Sequence, residues 1–192
     1  MHPRVRLGIL TGVSLVLAAV LVAVVTADPG RQAEPGFRGA TSAPGQPPAD
    51  FSLRDQDGRT VRAPAFRGRP VVLTFLYTTC QDTCPTTAQQ IRGALDQLGA
   101  GVPALAVAVD PPRDTPLRAR QFLAKQSLTG RMRFLLGPRA ELERVWRSYG
   151  VQPQRDGLDH SARVVLLGRD GRPAVAWPVD QLTPEGLAHD LR

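Results

Sequence analysis

Lysine is nearly missing from this chain, and cysteine is scarce. Among 24 cationic side chains Lys125 alone is not arginine, and the 192 residues hold 2 cysteines, Cys80 and Cys84. The arginine excess reads as coding bias rather than function. No basic run is interleaved with aromatic residues and no nucleic-acid fold signature is present, so the formal charge of +7 does not point to nucleic acid. It fits a basic surface turned toward anionic headgroups or an acidic partner protein. There is no internal repeat, and the length suits one ordinary domain with a tether rather than two domains.

One apolar stretch stands out. Arg4 and Arg6 precede an uncharged run from Leu7 to Thr26, about 20 residues and long enough to cross the hydrocarbon of a bilayer. Positive charge before the run, with Asp28 as the first charge after it, predicts a cytoplasmic N-terminus and everything downstream outside a cell membrane. The alternative is a cleaved signal peptide, for which Val25-Thr26-Ala27 offers small residues. The length of the run favours a retained single-pass anchor, and both alternatives export the domain. No cysteine lies near its end, which excludes a lipoprotein form. Residues 1–27 are therefore anchor or signal, 28–48 a Pro- and Gly-rich spacer, and 49–192 the folded domain, large enough to need no disulfide staples.

Within that domain, Phe51 and Leu53 and then Thr60 and Val61 flank Asp55-Gln56-Asp57-Gly58, whose Asp-Gly pair predicts a β-hairpin. Pro70 introduces Val71 to Tyr77, a continuous β-prone run of the kind buried on both faces. A helix is expected from Pro85, with Ile91, Ala94, Leu95 and Leu98 on one side. A second buried strand from Ala104 to Val109 leads through Asp110-Pro111-Pro112-Arg113-Asp114-Thr115-Pro116 to a helix carrying Leu117, Phe122 and Leu123. A short strand at Phe134-Leu135-Leu136, a helix from Arg139 to Tyr149, strands Ala162 to Leu167 and Ala174 to Trp177, and a helix after Thr183-Pro184-Glu185 complete the order. This succession predicts a thioredoxin-like α/β fold, a central mixed sheet with flanking helices.

Cys80 and Cys84 follow the expected central strand where it turns into a helix, the edge at which open α/β sheets place their sites. A helix N-terminus favours thiolate, and four-residue spacing brings both sulfurs to one side of the first turn. There they can share a metal or join as a redox-active disulfide. A merely stabilising bridge would close too short a loop to remove much chain entropy. Zinc would need four ligands, and only His160 and His189 remain in the domain, too far apart for a finger pattern. His189 sits among polar residues and reads as a solvated side chain. His160, in Asp159-His160-Ser161, opens a strand expected beside the one leading to Cys80. Two thiolates with one imidazole form a soft three-coordinate set suited to copper. The alternative is a histidine that caps a loop.

Three separated segments, Tyr77-Thr78-Thr79-Cys80-Gln81-Asp82-Thr83-Cys84-Pro85, Val109 to Pro116 and Asp159-His160-Ser161, resemble the Sco/SenC copper chaperones in order and spacing. The resemblance implies one copper ion per domain, ligated by Cys80, Cys84 and His160. It also implies an acceptor, the copper-bearing subunit of cytochrome c oxidase or another copper acceptor, whose binuclear centre the protein helps to assemble. That is a metallochaperone rather than an enzyme. The rival is a membrane-anchored thiol-disulfide oxidoreductase acting through Cys80 and Cys84 on the apo copper site or on other exported proteins. Gln81 stands where the family commonly has proline, and the strand after His160 lacks the usual Tyr-Leu-Ile-Asp wording; neither departure removes a ligand. Asp114 or Thr115 is expected to cap the following helix, with Arg113 or Asp114 as candidates for docking an acceptor.

Overall fold

The computed structural model describes residues 36–43, 45–48, 50–99, 101–152 and 163–192. The apolar stretch from Leu7 to Thr26 and the expected ligand His160 lie outside these residues. No helix among the described residues is long and apolar enough to cross a membrane.

The run at Val71 forms the strand that organises the rest. All six residues of β4 (Val71–Leu76) are buried, because the strand is paired on both sides and covered on both faces. The strands preceding it are β1 (Ala40–Thr41), β2 (Ser52–Arg54) and β3 (Thr60–Arg62). After it come β5 (Ala104–Ala108), β6 (Met132–Leu135), β7 (Arg163–Leu167) and β8 (Pro173–Pro178). The sheet order is β1-β8-β7-β4-β5-β6, with β4, β5 and β6 parallel and β7 antiparallel to β4. The expected mixed thioredoxin-like sheet is therefore present.

Among the described residues four α-helices accompany the sheet: α1 (Thr83–Leu98), α2 (Pro116–Lys125), α3 (Arg139–Ser148) and α4 (Pro184–Asp190). Register sorts them onto faces. Phe75 pairs with Val107, and its ring meets Tyr149, just past α3, at 5.6 Å. The neighbouring positions Thr74, Ala106 and Phe134 lie side by side and point the other way, as strand geometry requires. There Phe134 packs edge-on to Phe122 of α2 at 5.9 Å. Ala104, Ala106 and Ala108 share this second face and are fully or almost fully buried. The helices can approach the sheet closely over such small side chains.

Two features depart from expectation. The opening hairpin is present, with Asp55 accepting from the backbone N–H groups of Asp57 and Arg59 at 3.0 and 2.9 Å and Gly58 at φ 78°. It forms a two-stranded sheet of its own, attached through an isolated bridge between Arg54 and Leu136. The folded unit also begins earlier than the expected boundary, at Phe37. Ala40 and Thr41 pair with Ala176 and Val175, so part of the Pro- and Gly-rich segment is an edge strand. Asp190 holds it there, accepting from the N–H groups of Arg38 and Gly39 at 2.7 and 2.9 Å. A Cβ at Gly39 would strike Val175 and Trp177, so the close approach of this edge requires glycine.

Candidate functional site

Cys80 and Cys84 stand where β4 gives way to α1. The helix begins at Thr83, ahead of the expected Pro85, so Cys84 is in its first turn and Cys80 in the loop before it. The backbone N–H of Cys84 donates to Cys80 Sγ at 3.2 Å, one of the helix-terminal N–H groups that lack an intrahelical acceptor. Both cysteines are free thiols, Cys80 half-buried and Cys84 fully buried.

This asymmetry divides their chemistry. The Cys84 thiol donates to Cys80, and backbone N–H groups of Cys84 and Asp82 add to it against the opposing effect of burial. The Cys80 thiol is thereby lowered to about 5. Cys84 is pushed up by the same hydrogen bond, which it gives as a protonated thiol, and by burial. At neutral pH the pair is an accessible thiolate backed by a buried thiol.

The loop bearing Cys80 is tied to its neighbour by a carboxylate. Asp114 Oδ1 accepts from the N–H and hydroxyl of Thr78 at 2.7 and 2.8 Å, and its Oδ2 accepts from the N–H of Asp110 at 3.0 Å. β4 and β5 are adjacent and parallel, so their C-terminal loops lie together and one side chain reaches both. Burial pushes the Asp114 carboxyl up to about 6, although these hydrogen bonds oppose the shift.

Of the two expected caps, Thr115 serves α2, its hydroxyl accepting from the N–H of Arg118 at 3.3 Å. Asp114 points inward and is only 5% exposed, so it is not available to dock an acceptor. Arg113 is ion-paired with Asp110. Trp146 of α3 donates to the Ala108 carbonyl at 2.9 Å and braces the end of β5 below this loop.

His160 lies outside the described residues, as do its neighbours 153–162. His189 lies in α4 with Nδ1 3.0 Å from Asp190 Oδ1. No cluster of three or more metal-ligating side chains occurs among the described residues. Neither the Asp114–Thr78 tie nor the division of the two thiols was read from the sequence. In the sequence Asp114 stands beside Thr115 as an equally good cap, and nothing local marks it as the tie to Thr78.

The SCO1/SenC family profile matches residues 40–192, most of the chain. This chain belongs to the SCO1/SenC family. The SCO2 homolog of Bos taurus mitochondria is 35% identical over 135 residues, spanning 64% of this chain and 50% of the bovine protein. The chain thus matches about half the length of that relative. Among solved structures, Bradyrhizobium japonicum ScoI with copper bound is 36% identical, with a TM-score of 0.65 over 75% of this chain and 96% of that one. Apo Sco1 from Thermus thermophilus is 27% identical, with a TM-score of 0.68 over 81% of this chain and 95% of that one. In this SCO1/SenC chain, as expected from the element order, a central sheet with flanking helices carries the two cysteines at the head of a helix.

Proposed function

We propose that this SCO1/SenC protein carries one copper ion on the outer side of a cell membrane and delivers it to a copper acceptor. The acceptor proposed is the copper-bearing subunit of cytochrome c oxidase, for assembly of its binuclear centre. Cys80, Cys84 and His160 are the proposed ligands. The observation that carries this is the paired thiols at the head of α1, with the Cys84 N–H on Cys80 Sγ, in a chain similar to a ScoI protein solved with copper bound.

Two sulfurs and an imidazole suit a soft ion. Cys84 must give up its proton on loading, so affinity falls as pH falls. Half-exposed Cys80 is the sulfur an incoming acceptor ligand can reach first. Arg4, Arg6 and the apolar run after them support the proposed export.

The test is copper content of the reduced, detergent-solubilised full chain. We expect about one copper per chain for wild type and loss of binding in both Cys80→Ser and His160→Ala. Full retention in His160→Ala overturns the three-ligand set. A second reading, thiol-disulfide exchange, is favoured by a half-exposed sulfur beside a buried thiol. It gains the ground if wild type holds no copper while His160→Ala reduces disulfides at the wild-type rate.

A further inference from the structure

A groove of about 350 Å³ opens directly beside Cys80. Thr78, Cys80 and Pro85 form one wall, and Arg118, Gln121 and Lys125 of α2 form the other. Apart from Cys80 itself, the charged side chains that line it are two cations, Arg118 and Lys125, and no carboxylate. Elsewhere on the surface the larger clefts mix signs, with Asp55 and Asp57 among the arginines of one and Glu143 among those of another. Asp114 lies behind the loop, buried and engaged by Thr78 and Asp110, and Asp82 stands outside the groove.

The cations are placed rather than scattered. Arg118 is steadied by donating to the Arg113 carbonyl at 3.3 Å. Lys125 is the single lysine of the chain, a compact ammonium on a flexible stem at the far end of the same helix.

We propose that this groove docks an acidic segment of the protein that exchanges with Cys80, with carboxylates meeting Arg118 and Lys125 while the partner's sulfur reaches Cys80 Sγ. This rests on Cys80 being the exchange point, as the function proposed above requires, and adds to it the chemistry of the partner. Charge complementarity of this kind sets partner choice and association rate more than final affinity.

The test uses the full chain in detergent and two short synthetic peptides, each with one cysteine activated as its thionitrobenzoate disulfide. One is flanked by glutamates, the other by lysines. The Cys80 thiolate attacks the peptide sulfur, an S–S bond forms between them, and the original S–S bond breaks. Thionitrobenzoate leaves with the electron pair, and its absorbance reads the rate. The acidic peptide is expected to react about tenfold faster at low ionic strength, with the two rates converging near about 0.5 M salt.

In Arg118→Glu/Lys125→Glu the preference should reverse. In Arg62→Glu/Arg133→Glu, an equal change in net charge at exposed positions off the groove, it should persist. Equal wild-type rates for the two peptides, or equal loss of preference in both double variants, overturns the groove. Carbodiimide coupling should join the acidic peptide to Lys125, and a cross-linked mixture without that amide overturns the role of Lys125. None of these measurements needs copper. A wild type that prefers the acidic peptide but retains no metal keeps the groove and loses the metal carrier, and the converse result does the opposite.

Discussion

At the scale of single residues, the division between Cys80 and Cys84 is a division of proton affinity within one hydrogen bond. The donor keeps its proton because the hydrogen bond it gives to Cys80 requires it and because it is buried, and the acceptor sheds its own because it is met by that S–H and by the helix-terminal N–H groups. Alkylation of Cys80 by iodoacetamide should therefore hold near its plateau from pH 8 down to about pH 6 and fall as pH drops through about 5. Cys84→Ala removes the largest stabilising contact of the anion, so its profile should shift to higher pH. An unshifted profile in that variant would show that the backbone N–H groups and the Tyr77 side chain hold the thiolate without it.

At the scale of elements, the loops after β4 and β5 depend on a carboxylate whose burial outweighs its hydrogen bonds. Asp114 titrates near 6 in the folded chain against an ordinary 3.8, so the folded state binds its proton more tightly than the unfolded state does. Its contribution to stability is fullest below about pH 4 and declines as pH rises through about 6, a change on the order of 3 kcal/mol. Asp114→Asn should flatten the dependence of the urea midpoint on pH between 4 and 7, and an unaltered slope would exclude Asp114 as its source. The sequence made the segment around Asp114 conspicuous but not its direction. Asp114 and Thr115 are both good caps, and only the adjacency of two parallel strands sends one of them inward to Thr78. Long elements such as β4 and β5 were legible because continuous β-prone runs have few other solutions. β1 was not, because Ala40 and Thr41 sit in Pro- and Gly-rich sequence and pair through backbone alone. The start of α1 was displaced because proline favours a helix's first turn, not one fixed position in it.

At the scale of the whole molecule, the first strand and the last helix are fastened together. The Asp190 side chain is fully enclosed and gathers the N–H groups of Arg38 and Gly39 with the indole N–H of Trp177 at 3.1 Å. Asp190→Ala leaves these donors without their acceptor and should lower unfolding free energy by about 2 kcal/mol, read from denaturant unfolding of the full chain. A change within measurement error would show that solvent replaces the carboxylate. Across β4 from that edge, the packing of β5 is governed by much smaller groups. Ala104, Ala106 and Ala108 put three methyls under the helical layer of that face, so a single added branch there would lift the layer without touching a sulfur. The reach of Cys80 is therefore open to adjustment from beneath, by side chains that no acceptor ever meets.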